Sequence, residues 1–227
     1  MEKKGASHVE IILSFVLFIS TVTLALYIFN PLTLSSPIQS SISFVTTELT
    51  GNISLDVTTY AIKITPGAQT SLGVEISESP SLKARVETYS GSKLPYSRSS
   101  NIISFNRQGN DLVLIKFSED FIEDNSISLQ QLNQSAYEII SSVTENLVSE
   151  KRAIELSNAY IKDYASLKKY LKITSDFSFS LTFSPSDKII AEKQVPSNIP
   201  VLSDIKRKQI IRSSGNTAFA DLGVKIW

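Results

Sequence analysis

The longest apolar stretch of the sequence lies near its beginning. From Ile11 to Phe29 no residue is charged, and two basic residues, Lys3 and Lys4, precede this stretch. As a helix rising about 1.5 Å per residue it would span roughly 28 Å, close to the hydrocarbon thickness of a bilayer. Asn30-Pro31 then ends the apolar pattern. The pattern therefore predicts a transmembrane helix over residues 6–30.

A short helix is predicted to follow this apolar stretch. Ser36 and Pro37 are typical of a helix start, and Gly51 is typical of a helix end. Between them, apolar residues recur three or four positions apart, at Ile38, Ile42, Val45 and Leu49. We therefore expect residues 31–52 to form a linker and a short helix.

The next part of the chain has the pattern of β-strands. From Ser54 to Phe117 apolar and polar residues mostly alternate, as they do in strands with one buried face. The alternation changes phase near Thr58-Thr59, where we expect either a bulge or a strand covered on both faces. Arg107-Gln108-Gly109-Asn110 separates two strand patterns and predicts a hairpin turn. This part is therefore predicted to be a β-meander.

One long helix is predicted in the second half, over Ser149–Leu171. Its apolar residues lie three or four positions apart, at Ala153, Leu156, Tyr160, Tyr164, Leu167 and Leu171. Residues 137–148 before it fit either a helix or a strand, and strand patterns return from Phe177. The predicted fold class is thus α+β. It combines an N-terminal transmembrane helix with a mainly antiparallel β-sheet domain, residues 53–227, that carries one long packed helix.

Composition and charge exclude several classes of function. The chain has 22 basic and 22 acidic residues, so no strongly basic surface for nucleic acid is expected. It has no cysteine and a single histidine, His8, so a zinc site of the usual kind is not expected. There is no glycine-rich phosphate loop and no nucleophile elbow. We expect neither enzyme activity nor a cofactor.

Polar segments of the domain offer two kinds of candidate site. Asn52-Ile53-Ser54 and Asn133-Gln134-Ser135 are candidate N-glycosylation sites if the domain faces outward. An acidic segment begins at Glu119 and includes Glu123, but it lacks the spacing of an EF-hand. We expect this acidic segment to be a solvated loop rather than a calcium site.

Three interpretations compete for the first thirty residues. A secretory signal peptide is disfavoured, because the apolar stretch is long and a poor cleavage site follows it. A plain single-pass anchor would be held by Lys3 and Lys4, with the N-terminus in the cytoplasm. Neither interpretation explains Glu10, a carboxylate placed where the apolar stretch begins.

The third interpretation rests on the order of basic residues, Gly5, Ala6 and Glu10 before the apolar stretch. This order resembles the class III signal of type IV prepilins and archaeal pilin-like proteins. The resemblance implies that a membrane peptidase cuts after Gly5 and leaves Glu10 as the fifth residue of the mature chain. His8 departs from the bacterial pattern, which usually has an apolar residue at this position, and so the archaeal type is favoured.

The resemblance implies a membrane-anchored pilin-like subunit, structural or accessory, of a type IV pilus-like surface assembly. Residues 1–5 would be the leader, and the helix that follows would pack against the helices of like or related subunits. Glu10 would pair with the freed amino group of Ala6 on a neighbouring subunit and set the axial register. The N-terminus would be cytoplasmic and the domain would lie outside the cell membrane. The alternative is a non-assembling single-pass surface protein whose exported domain binds a ligand or partner.

Overall fold

A computed structural model describes residues 4–29, 37–122 and 136–227. The predicted linker over residues 31–36, the candidate glycosylation site Asn133 and the acidic residue Glu123 lie outside the described residues. The chain divides into two compact units, Met1–Ser41 and Ile42–Trp227.

The described residues form four helices and eleven strands. The helices are α1 (Lys4–Phe29), α2 (Pro37–Ile53), α3 (Glu150–Lys162) and α4 (Tyr164–Tyr170). The strands are β1 (Ser54–Ile64), β2 (Ser71–Glu75), β3 (Lys83–Thr88), β4 (Tyr96–Ser99), β5 (Ile102–Asn106), β6 (Leu112–Ser118), β7 (Tyr137–Ser149), β8 (Phe177–Ser184), β9 (Asp187–Ala191), β10 (Leu202–Ile211) and β11 (Thr217–Ile226). Residues 137–148, which fit either a helix or a strand, thus belong to a strand.

The described chain is mainly β, which corrects the predicted fold class. Eight strands form one curled sheet in the order β3-β6-β1-β7-β10-β11-β8-β9, and three form a second sheet, β2-β5-β4. The link between β7 and β10 is parallel and covers only two residue pairs. No helix among the described residues has both the length and the apolar character needed to cross a membrane. The prediction of an α+β fold headed by a transmembrane helix is therefore wrong.

Helix α2 confirms the predicted short helix. It begins at Pro37, a residue that suits the first turn because it has no N–H to leave unpaired. It continues past Gly51, its predicted end, to Ile53. One face is buried through Ile42, Val45, Leu49 and Ile53, which are at most 8% exposed. These residues join the core formed with α3, α4 and strands β8 to β11.

Strand β1 explains the change of phase in the sequence. Leu55 and Val57 pack in a small cluster with Leu147, whereas Ile62 and Ile64 pack in a different core. The register with β7 shifts between Ala61 and Ile62, not at Thr58-Thr59 as predicted. One continuous strand therefore serves two cores, and the irregularity lies where it passes from one to the other.

The turn at Arg107–Asn110 is present, but the hairpin is not. Asn110 N donates to Arg107 O at 2.9 Å, and Gln108 and Gly109 have φ values of 48° and 82°. Strand β5 before the turn pairs with β2 and β4, whereas β6 after it pairs with β1 and β3. The turn connects two different sheets, so the predicted hairpin and meander are wrong. A core of side chains from β1 to β6 lies between these sheets.

The predicted long helix is two helices that share one residue at their junction. Ser149 caps α3 as expected, because its side chain accepts a hydrogen bond from Arg152 N at 3.2 Å. Asp163 ends α3 through its N–H, which donates to Ala159 O at 2.9 Å. Its carboxylate then accepts from Ser166 N at 3.0 Å and starts α4. The prediction of one long packed helix is therefore wrong.

The apolar stripe nevertheless continues across the break between α3 and α4. Ala153, Leu156 and Tyr160 of α3 are buried, and so are Leu167 of α4 and Leu171 after it. Together they pack against β8 to β11. The backbone leaves helical geometry at Asp163, where φ is −153° and ψ is 83°, and residues of the same apolar stripe are buried on both sides of it.

Candidate functional site

Helix α1 presents large apolar side chains on every side. Ten of them between Ile11 and Leu24 are 37–64% exposed. They are Ile11, Ile12, Leu13, Phe15, Val16, Leu17, Phe18, Ile19, Val22 and Leu24. Phe15 to Ile19 are consecutive, and at 3.6 residues per turn they cover the whole circumference. A helix that faces water has a polar side, so this surface is of the kind that marks an interaction site.

The side chain of Thr21 does not interrupt this apolar surface. Its hydroxyl donates to Leu17 O at 2.5 Å within the same helix. The hydroxyl is thus satisfied without water, and an apolar neighbour can cover it without leaving a donor unpaired.

The predicted processing and assembly residues lie together at the start of α1. Gly5 and Ala6 are in its first turn, where backbone N–H groups have no partner within the helix. Glu10 is exposed and directly precedes the uncharged stretch. The peptide bond after Gly5 therefore lies in the first turn of α1, and the carboxylate of Glu10 lies at the border of the apolar surface.

Asn52, the other described candidate site residue, lies in the last turn of α2. Its side-chain amide donates to Glu48 O at 2.8 Å. The next two residues of the tripeptide are buried, with Ile53 0% and Ser54 7% exposed. Sites of this type are usually in surface loops, so adding a glycan to the folded domain would require this turn to open. Glycosylation of Asn52 stays a prediction.

The described part of the acidic segment is tied to α3. Asp120 accepts a hydrogen bond from Ser149 Oγ at 2.7 Å and lies 3.3 Å from Arg152 Nε. Glu119 pairs with Arg152 Nη2 at 2.8 Å. These two carboxylates therefore pair with the first turn of α3, and the side chain of Glu119 is 62% exposed.

A buried charged cluster lies beside a cavity in the β-sheet domain, and the sequence pattern did not predict it. Glu87 is 2% exposed and Arg85 9% exposed, and their side chains meet at 3.1 Å. Lys116 on the neighbouring strand β6 pairs with the second carboxylate oxygen of Glu87. The adjacent cavity has a volume of about 320 Å³. Alternation along β3 places Arg85 and Glu87 on the side expected to face water, so only knowledge of the tertiary fold could have identified the cluster.

The two features with functional potential are thus the uncharged surface of α1 and the charged cavity. No protein-family model, curated protein or solved structure matches this chain.

Proposed function

We propose that this chain is a pilin-like subunit, structural or accessory, of a surface assembly. Its α1 helix packs against the same helix of like or related subunits. The observation that carries the proposal is the uncharged surface from Ile11 to Leu24, exposed around the full helix. Removing apolar surface from water gains about 25 cal/mol per Å², so in water this surface favours contact with another apolar surface.

In this proposal, Glu10 determines the axial register between neighbouring α1 helices. An apolar helix surface alone does not fix that register. A single carboxylate at its border is more stable in an assembled bundle where it meets a positive group. Cleavage after Gly5 creates such a group, the free amino group of Ala6, four residues from Glu10. The predicted membrane location and the peptidase itself stay predictions.

Cysteine cross-linking tests whether α1 contacts other subunits. The chain has no cysteine, so a single introduced residue is unique. We expect Leu17→Cys on α1 to form disulfide-linked dimers when cells are treated with a mild oxidant. Tyr89→Cys is the matched control, because Tyr89 is 76% exposed in the β-sheet domain. Equal dimer yields from the two variants would contradict the proposal.

Glu10 variants separate an assembled subunit from a surface protein that acts alone. In the Leu17→Cys background, Glu10→Gln removes the charge and is expected to lower the dimer yield several-fold. Glu10→Asp keeps the charge and is expected to retain most of the yield. The alternative predicts no change with either variant.

The mass of the mature N-terminus gives an independent check. It should correspond to a chain that starts at Ala6 in cells that contain the peptidase. An intact Met1–Gly5 segment in such cells would contradict processing.

A further inference from the structure

Strand β7 has one edge with very little pairing. On one side it pairs with β1 over eleven residue pairs. On the other side, among the strands that the structure describes, it pairs only with β10, through Val148 and Ser149 at its end. In an antiparallel pair, alternate residues point their N–H and C=O groups away from the partner strand. Most of β7 therefore presents open backbone donors and acceptors on the edge opposite β1.

This edge of β7 lacks the residues that usually protect an exposed strand edge. Such edges commonly carry lysine or proline, which discourage pairing with another chain. Strand β10 has three consecutive basic residues at positions 206–208, whereas β7 contains no lysine, arginine or proline. The register of β7 with β1 shifts between Ile139 and Ser141 and is regular from Ser141 to Val148. This regular segment can therefore accept another extended chain.

Strand β1 already holds this segment of β7 in place. Thr144 Oγ1 lies 3.0 Å from Thr58 Oγ1, and Asn146 Nδ2 donates to Asp56 Oδ1 at 2.8 Å. These contacts use the side chains of one face of β7 and leave those of the other face available. An incoming chain would thus meet a preformed strand, so the loss of conformational freedom on binding falls mainly on the incoming chain.

The available face of β7 has an apolar and an acidic position two residues apart. Val143 is 52% exposed, and Glu145 is also exposed. Side chains two residues apart on a strand project from the same face, and opposite side chains on paired strands contact each other. We infer that this edge binds an extended basic peptide of a partner protein, with a basic residue opposite Glu145 and an apolar residue opposite Val143. This inference does not depend on the proposed assembly.

Titration of the full chain in detergent with a short peptide tests this inference. The probe is the acetylated and amidated peptide Thr-Lys-Thr-Val-Thr-Lys-Thr, which has a lysine on both sides of its valine and so fits in either direction. We expect saturable shifts of the amide NMR signals of residues 141–147, and slower hydrogen exchange at alternate amides there. A control peptide with N-methyl groups on the valine and the next threonine lacks one donor on each edge and should bind about tenfold more weakly. The inference is overturned if about 5 mM probe, enough to fill most of a millimolar site, causes no shift, or if both peptides bind equally.

Charge reversal on β7 assigns the binding to this edge. Glu145 is exposed, so its replacement should leave the fold intact. At low salt, Glu145→Lys is expected to weaken binding of the probe about fivefold, and to strengthen by a similar factor the binding of a peptide with glutamate in place of both lysines. Glu155→Lys is the matched control, because Glu155 is also exposed but lies on α3, and it should change both affinities less than about twofold. Equal effects of the two variants would place the peptide elsewhere and overturn the inference.

Discussion

At the scale of single residues, strand β3 buries two charged side chains, those of Arg85 and Glu87. Lys83, Arg85 and Glu87 alternate with Ala84 and Val86, which is the pattern of a strand with one side in water. The turn between β10 and β11 covers Arg85, which donates hydrogen bonds to Ser214 and Asn216 there. Alternation correctly separates the two faces of a strand, but it does not tell what lies above each face.

Glu87 is expected to be a strong determinant of stability. Glu87→Gln removes the negative charge that neutralises two largely buried cations, and breaking a buried ion pair in this way costs about 3–5 kcal/mol. Urea unfolding followed by circular dichroism measures the change. Glu192→Gln is the matched control, because Glu192 and its partner Lys225 are each 50% exposed. That change should cost less than about 1 kcal/mol. Similar losses for both variants would show that burial of Glu87 does not matter.

At the scale of secondary-structure elements, the ends of elements were harder to predict than their middles. The apolar stripe from Ala153 to Leu171 was correct, but it gave no sign of the break at Asp163 because the helical spacing continues through it. The break could have been recognised from the residue type at Asp163, since aspartate is favoured at a helix start.

The turn at Arg107–Asn110 was identified from its own residues. The partners of β5 and β6 depend on contacts distant in sequence, which a local pattern does not contain.

Asp176, directly before β8, contacts α4 and the residue after β11, and it gives a test by pH. Lys168 of α4 donates to its carboxylate at 2.7 Å and holds the pKa of Asp176 below its usual value of 3.8. The backbone N–H and C=O of Asp176 bond to Trp227, directly after β11, at 3.1 and 3.0 Å. Because the pKa is lowered by folding, the charged carboxylate stabilises the protein above the unfolded-state pKa. This contribution is lost as the pH falls through the lower folded-state pKa.

Replacing Asp176 by Asn should therefore lower stability at neutral pH but not in strong acid. The pair with Lys168 is partly exposed, so we expect a loss below about 1 kcal/mol at pH 7. The difference between wild type and Asp176→Asn should begin to shrink near pH 4 and disappear at lower pH. Urea midpoints measured across this range provide the test. A difference that stays constant with pH would show that the charge of Asp176 is not involved.

At the scale of the whole molecule, local patterns identified most elements but not the fold class. The alternation from Ser54 onward and the helical spacing from Ile38 to Leu49 correspond to real elements. Their arrangement into a curled eight-stranded sheet and a second three-stranded sheet was not predicted. Strand order is set by contacts between residues far apart in sequence, and apolar spacing within each segment is compatible with many such orders. The apolar character of α1 was also evident from the sequence, although the transmembrane helix predicted from it was wrong.

The β-sheet domain should fold without α1. All buried apolar residues of the described chain lie from Ile42 onward, and all described side chains of α1 are exposed. A shortened chain that begins at Pro37 is expected to unfold with the same urea midpoint as the full chain, within about 0.5 kcal/mol, and to remain monomeric. A chain that begins at Ser54 is the control. It lacks the four core residues of α2, each contributing about 1.5–3 kcal/mol, and should be largely unfolded. A lower midpoint for the chain from Pro37 would contradict an independent domain.

The short link between β7 and β10 has a mechanical consequence. Only two residue pairs join these strands, whereas β1 and β7 share eleven and β10 and β11 share ten. Under tension, the pairing between β7 and β10 is the weakest in the eight-stranded sheet, so these two strands should separate first. The strands on either side would stay paired as two intact blocks, so the domain could lengthen under load and close again when the load is removed.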